Sequence, residues 1–98
     1  MNGPILRTTD VTGEVYDDPS EDALYMFMED LESSGSSFLV ERVEPGREGE
    51  WMRITYRAGG LYELDSSTQD LRYVGSLRSV HEYLTRWAFD LSSPKADR

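Results

Sequence analysis

Apolar residues recur at helical spacing in a segment of the first third of the chain. The stripe consists of Leu24, Phe27, Met28 and Leu31. We expect this helix to take Asp18 as its N-cap, with Pro19 at the first helical position and Glu21 completing a capping box. Ser33-Ser34-Gly35 supplies the glycine-containing end.

A second helical stripe lies near the end of the chain. It comprises Val80, Leu84, Trp87, Ala88 and Leu91. Ser79 and Glu82 have the spacing of a capping box, and Ser92-Ser93-Pro94 is a stop signal. We therefore expect one domain over residues 1–92 and a flexible tail over residues 93–98.

Between Ser36 and Gly75 the period of the apolar positions changes to two and turn residues come close together. This pattern predicts a meander of antiparallel strands. A turn over residues 45–49 would join the first two of them in a register that keeps apolar residues on one face. That register pairs Phe38 with Tyr56, Val40 with Ile54, Glu41 with Arg53, and Val43 with Trp51.

The register of the next hairpin follows from the same requirement, that apolar and polar side chains stay on opposite faces of the sheet. A two-residue Gly59-Gly60 turn would set Tyr56 against Glu63 and mix the faces, whereas a three-residue Ala58-Gly59-Gly60 turn with a bulge keeps them apart. The favoured register pairs Tyr56 with Tyr62, Ile54 with Leu64, and Arg53 with Asp65. A further strand over residues 71–74 is predicted to place Leu71 beside Leu64 and Arg72 beside Glu63.

Ile5 to Thr9 add a short first strand. The predicted fold is α+β, with an antiparallel meander sheet of four to five strands and the order β-α-β-β-β-β-α. Both helices are most simply packed on the sheet face that carries the even-numbered residues of the meander.

Charge separates the two halves of the chain. The net charge is −9, and residues 1–50 carry 13 acidic against 3 basic side chains, whereas residues 51–98 carry 6 against 7. Nine carboxylates and no basic residue lie between Asp10 and Glu32. Phosphate repulsion makes nucleic acid an unfavourable ligand for the first half, so a basic protein is the expected partner.

The sequence lacks the residues that several kinds of catalytic or metal-binding site require. The chain has no cysteine, which excludes disulfides, thiolate catalysis and cysteine-ligated zinc. His81 is the one histidine and is interpreted as a helix-surface or half-buried residue, while Gly59-Gly60 is a hairpin turn with no helix behind it. We expect no enzyme activity, metal or cofactor, and, without a long apolar run, a cytoplasmic protein that does not enter the membrane.

The outward side of the first helix is the main candidate for partner binding. It consists of Asp22, Tyr25, Met26, Glu29, Asp30 and Glu32. An ordinary solvated face is the alternative interpretation. However, carboxylates near a helix C-terminus are each unfavourable by about 0.3–1 kcal/mol, and no basic residue at helical spacing compensates them. Acids around an exposed Met and Tyr would suit a basic partner.

A second candidate lies on the opposite face of the sheet. Trp51, Arg53 and Arg57 alternate along one strand, a pattern that could bind a small ligand or stack on single-stranded nucleic acid in an accessory or regulatory module. The alternative is structural, because the predicted registers give Arg53 a carboxylate neighbour. A dimer through this face would also be possible, so the chain is a monomer or a homodimer.

Three segments carry a resemblance. They are Val15-Tyr16-Asp17-Asp18-Pro19-Ser20, Phe38-Leu39-Val40-Glu41-Arg42 and Val80-His81-Glu82-Tyr83-Leu84-Thr85-Arg86-Trp87-Ala88. The chain resembles small actinobacterial proteins of unassigned function and, more loosely, immunity proteins of bacterial polymorphic toxin systems. The resemblance implies a non-enzymatic inhibitor that binds and blocks a cognate toxin, often a basic nuclease.

Overall fold

A computed structural model describes residues 4–67 and 71–89 of the chain. These residues form a six-stranded antiparallel sheet with two helices, which confirms the α+β class and corrects the expected four to five strands. The sheet order is β2-β1-β3-β4-β5-β6. The elements are β1 (Leu6–Thr9), β2 (Val15–Asp17), α1 (Glu21–Ser34), β3 (Ser37–Arg42), β4 (Trp51–Ala58), β5 (Leu61–Ser66), β6 (Leu71–Ser76) and α2 (Leu77–Ala88).

The strand that the sequence did not predict is β2, which pairs with β1 at the edge of the sheet. All three of its side chains are exposed, so it has no apolar alternation to reveal it.

The presence of β2 also changes the start of α1. Asp18 has a φ of 51° and accepts hydrogen bonds from the backbone N–H groups of Ile5 and Leu6, both at 2.9 Å. Ser20 is the N-cap instead, and its hydroxyl accepts from Ala23 N.

The start of α2 also differs from the prediction. Ser76 is its N-cap and accepts from Ser79 N at 3.2 Å, so the expected capping box of Ser79 and Glu82 is wrong. Here β6 runs directly into α2 without a loop, which moves the helix start three residues earlier. The predicted Leu91, the stop at Ser92-Ser93-Pro94 and the tail over residues 93–98 lie outside the described residues.

The core lies between the sheet and the helices, on the face that carries the even-numbered residues of β3, β4 and β5. This confirms the prediction that the even-numbered residues of the meander face the helices. Burial removes apolar surface from water and is the main stabilising term of such a layer. The fully buried set from the sheet is Leu6, Phe38, Val40, Met52, Ile54, Tyr62 and Leu64, and from the helices Leu24, Met28, Leu31, Val80, Leu84 and Ala88. Phe27 and Trp87 pack against it partly buried.

The predicted register between β4 and β5 is confirmed, but the predicted three-residue Ala58-Gly59-Gly60 turn is wrong, because Ala58 pairs with Leu61 and the turn consists of Gly59-Gly60 alone, with the bulge inside β4. Tyr56 pairs with Tyr62, Ile54 with Leu64, and Arg53 with Asp65, with a register shift between Tyr56 and Ala58. The turn glycines Gly59 and Gly60 both have positive φ.

The other two predicted registers are wrong by two residues. Phe38 pairs with Ile54, Val40 with Met52, Leu39 with Arg53, and Glu41 with Trp51, while Leu64 pairs with Tyr73 and Asp65 with Arg72. A slip of two residues keeps every side chain on its face, so parity alone could not detect it. Val43 N donates to Ile5 O instead of pairing with Trp51.

The loop between β3 and β4 closes around a buried guanidinium. Arg42 lies on the core-facing side of β3, and its charged side chain is only 1% exposed. Its Nη1 donates to Glu44 at 2.7 Å, its Nε lies 3.6 Å from Glu50, and its Nη2 donates to the carbonyl oxygens of Trp87 and Ala88 at the end of α2. The guanidinium therefore links β3, the loop and α2.

Replacing Arg42 by Met is expected to lower the free energy of unfolding by about 3 kcal/mol, because the last carbonyls of α2 and two carboxylates lose their buried cation. Urea denaturation measures the loss. The matched control is Arg86→Met, which removes an exposed pair with Glu82 and is expected to change stability by about 0.5 kcal/mol or less. Equal effects of the two substitutions would contradict the assigned importance of Arg42.

The same cluster makes stability depend on pH through Glu50. A hydrogen bond from Arg47 chiefly holds the pKa of Glu50 below its ordinary value, with Arg42 contributing by its charge. Because the pKa is lower in the folded protein, the ionised carboxylate stabilises the fold above its unfolded pKa of about 4.3. This stabilisation is lost as the pH falls through the folded pKa. We expect the difference in unfolding free energy between the native protein and Glu50→Gln to shrink below about pH 5, as measured by urea denaturation at several pH values. A difference that does not change with pH would contradict the stabilising role of ionised Glu50.

Candidate functional site

The outward side of α1 presents all six residues that the sequence singled out for partner binding. The buried residues Leu24, Met28 and Leu31 turn this helix so that its other side faces water. Met26, in the middle of that side, is 61% exposed. The exposed set is Asp22, Tyr25, Met26, Glu29, Asp30 and Glu32, and we refer to it as the acidic helix face.

The carboxylates of the acidic helix face lack cationic partners. Within residues 4–67 and 71–89, no ion pair involves Asp22, Glu29, Asp30 or Glu32. The last turn of α1 holds no basic residue, and the helix ends at Gly35 in the left-handed conformation, whose N–H caps the carbonyl of Leu31. Negative charge therefore accumulates at the end of the helix where the backbone dipole is itself negative.

Contacts with α2 hold the aromatic part of this surface in place. The Tyr25 ring meets the His81 ring edge-on at 5.1 Å, and His81 Nε2 lies 3.1 Å from the carbonyl oxygen of Glu21. His81 is thus half-buried and joins the two helices. A tyrosine with its ring fixed loses little conformational entropy when a partner binds it.

The field of the acidic helix face extends into the core. Burial chiefly raises the pKa of Tyr62 above its ordinary value, and the negative charge of Glu32 is the next cause, with smaller effects from Tyr56, Glu29 and Tyr25. Tyr62 lies on β5 and stacks edge-on with Tyr56 at 5.2 Å. The negative charges of Glu29 and Glu32 thus disfavour ionisation of the buried Tyr62 phenol.

The second candidate face, on the opposite side of the sheet, is electrically paired. Arg53 stacks over the Trp51 ring at 5.1 Å and stands opposite Asp65. Arg57 pairs with Glu63, whose side chain is 6% exposed. The structure brings Trp51, Arg53 and Arg57 to one face as predicted, but all three already have partners within the sheet, since Trp51 and Arg53 stack on each other and Arg57 pairs with Glu63.

Arg72 completes this network from β6. Its Nε lies 2.7 Å from Glu63 and 3.2 Å from Asp65, and these carboxylates raise the pKa of its guanidinium, Asp65 most strongly. The ion pair of Arg72 with Glu63 forms although the predicted register was wrong, because the contact runs diagonally between strands. Buried Glu63 on an open sheet face was a feature that sequence parity did not indicate.

Two open clefts flank β6, and none of the residues that line them belongs to the acidic helix face. One, of about 320 Å³, lies between β6 and α2. The other, of about 490 Å³, lies on the outer sheet face at the ends of β4, β5 and β6. The first is lined by Tyr73, Ser79, Glu82, Tyr83 and Arg86, and the second by Arg57, Ala58, Leu61, Glu63, Arg72 and Val74.

Two other kinds of site are absent from the part of the chain that the structure describes. No group of three or more histidine or carboxylate side chains is arranged to hold a metal ion. Neither α1 nor α2 is long and apolar enough to cross a membrane.

Comparison with known proteins adds no assignment. No protein-family model matches the chain, and neither a curated protein nor a solved structure shows significant similarity to it.

The electrostatic reach of the acidic helix face is testable at Tyr62. We expect Glu32→Gln to lower the pKa of Tyr62 toward its ordinary value, because one of the negative charges that disfavour the phenolate is removed. Ring carbon shifts in an NMR pH titration measure it. Glu48→Gln, in the loop before β4, is the control and is expected to leave the pKa of Tyr62 unchanged; a similar change in both variants would contradict the assignment.

Proposed function

We propose that this protein is a non-enzymatic, acidic protein-binding domain that docks on a basic partner through the acidic helix face. One observation carries the proposal. The carboxylates of α1 are exposed and make no ion pair among the described residues, whereas the arginines of the outer sheet face are already engaged. A cationic partner would gain new ion pairs on α1 without first breaking old ones.

The arrangement suits fast and oriented association. A concentrated negative field steers a positively charged partner toward the surface and raises the rate of encounter. Met26 then offers a flexible apolar contact at the centre, and Tyr25 offers an aromatic one held by His81. In this mechanism the acids determine rate and orientation, and the two apolar side chains contribute to the lifetime of the complex.

Within this proposal, the partner class is a basic nuclease toxin and the role is that of an immunity or inhibitor protein. A nuclease binds phosphate through a cationic cleft, and a row of helix carboxylates can occupy such a cleft and exclude the nucleic acid. The resemblance of three sequence segments to immunity proteins supports the same class. The proposal places the protein in the cytoplasm, as a monomer or a homodimer.

The alternative site around Trp51, Arg53 and Arg57 has weaker support. A nucleic-acid surface needs cations that are free to neutralise phosphates. Arg57 would have to leave Glu63, which is buried and would keep only Arg72 as its counter-ion. The geometry therefore favours α1.

The deciding experiment is affinity capture from a lysate of the source organism with the native protein and with the triple variant Glu29→Lys, Asp30→Lys, Glu32→Lys. We expect one basic protein to be retained by the native form, released by salt, and lost with the variant. The purified partner's activity is then assayed, and the native protein is expected to inhibit it whereas the variant is not.

A second triple variant controls for net charge. Glu14→Lys, Glu48→Lys and Glu82→Lys change the charge by the same amount at exposed positions outside the acidic helix face. We expect this control to retain and inhibit the partner. If both variants lose the partner equally, net charge alone explains the binding. If all three forms retain the partner equally, α1 is excluded as the docking surface.

A further inference from the structure

The outer sheet face, which is the side of the sheet away from both helices, is electrically neutral. Among the described residues its strands carry four arginines and four carboxylates, whereas the whole chain has a net charge of −9. The eight residues are Arg7, Asp17, Glu41, Arg53, Arg57, Glu63, Asp65 and Arg72. Two copies of an acidic chain repel each other, and a neutral face lets them meet with the least repulsion.

Two of these eight charges differ from the rest. Six of them form ion pairs with one another across neighbouring strands. No ion pair among the described residues involves Glu41 or Arg53, although Arg53 stacks over the Trp51 ring. Glu41 lies on β3 and Arg53 on β4, so one acid and one base without an ion pair occupy the two central strands of the sheet.

The strand registers arrange the charges in two rows of opposite sign pattern. The row across β2, β1 and β3 reads negative, positive, negative, and consists of Asp17, Arg7 and Glu41. The row across β4, β5 and β6 reads positive, negative, positive, and consists of Arg53, Asp65 and Arg72. Each row spans three neighbouring strands. One half of the outer sheet face is therefore the charge complement of the other half.

This pattern is complementary to itself under a two-fold rotation. An axis that lies in the plane of contact and passes between β3 and β4 sets the first row of each copy against the second row of the other. Glu41 of one copy then meets Arg53 of the other, and the reverse contact forms at the same time. Leu39 and Trp51, both half-buried, lie near this axis and each faces its own counterpart. A central tryptophan surrounded by charged pairs is a frequent arrangement in stable interfaces.

The size of the outer sheet face is sufficient for a weak dimer. Its six strands, of which the four longest have six to eight residues, give a face of about 29 by 20 Å at the usual strand spacing and rise. Two copies would together bury on the order of 1,200 Å², near the lower end of stable interfaces. Two twisted sheets pack face to face when their strands cross at a moderate angle.

We propose that the outer sheet face binds a second copy of this chain. The dimer is two-fold symmetric, with reciprocal pairs of Glu41 and Arg53 on either side of Leu39 and Trp51. Both helices lie on the opposite side of the sheet, so the acidic helix face of each copy stays exposed in the dimer. The proposal does not depend on the function assigned to α1.

Sedimentation equilibrium of the full chain tests the dimer. We expect the mass to rise from 11.2 kDa toward twice that value, with a dissociation constant on the order of 10 μM. Glu41→Arg and Arg53→Glu, each alone, are expected to weaken the dimer about tenfold or more, because each sets like charges against each other twice in the dimer. Glu29→Arg, on α1, changes the charge as much as Glu41→Arg does and is expected to dimerise at least as well as the native chain.

Two combinations of the same substitutions are expected to restore association. An equal mixture of the Glu41→Arg chain and the Arg53→Glu chain should form a heterodimer, and one chain carrying both substitutions should form a homodimer again. In each case an acid faces a base at both reciprocal contacts. Circular dichroism of every variant shows that the fold is retained, so a loss of association cannot be attributed to unfolding.

Three results would overturn the proposal. A native chain that stays monomeric at about 0.5 mM leaves the outer sheet face to solvent or to a different protein. A dimer that neither Glu41→Arg nor Arg53→Glu weakens is formed by another surface. Single variants that lose association, with no recovery in the mixture or in the double variant, rule out the reciprocal pairing of Glu41 with Arg53.

Discussion

The buried guanidinium of Arg42 is the interaction on which the layered arrangement depends. It lies at the end of β3, on the side that packs against the helices, and its donors reach the last carbonyls of α2. Its stacking over Trp87 at 4.8 Å fixes the same helix end from a second direction. A buried charge is costly unless hydrogen bonds and nearby opposite charges compensate its loss of water, and here the loop that folds over Arg42 supplies the carboxylates of Glu44 and Glu50.

Ion pairs within the fold divide the charge unevenly over the surface. Glu44 and Glu50 are used up by Arg42 and Arg47, and Glu63 and Asp65 on the outer sheet face by Arg57 and Arg72. The carboxylates of α1 have no such partners among the described residues. Among the described residues, carboxylates without an ion pair also occur outside α1, for example at Glu14, Glu41 and Glu48, but α1 carries five of them within its 14 residues. This local density, more than the net charge of the chain, supports a docking role for α1.

Helix α2 lies between the acidic helix face and the β6 edge of the sheet. His81 connects α2 to the acidic helix face, while Tyr83 lines the cleft beside β6.

Local chemistry determined much of this structure directly from the sequence. Helical and strand periods placed both helices, the core face and the β4–β5 hairpin, because side-chain direction follows from backbone geometry alone. The exposure of Met26 and its acidic neighbours followed from the same reasoning. What the sequence could not decide were alternatives that are locally equivalent. Asp18 and Ser20 are both competent caps, and only the pairing of β1 with β2 assigned Asp18 to the strand ends. Registers two residues apart preserve both faces, so side-chain alternation could not choose between them, and the observed β3–β4 and β5–β6 registers became visible only in the tertiary structure. The contact of Arg42 with Trp87 was equally out of reach, since it joins residues far apart in the chain.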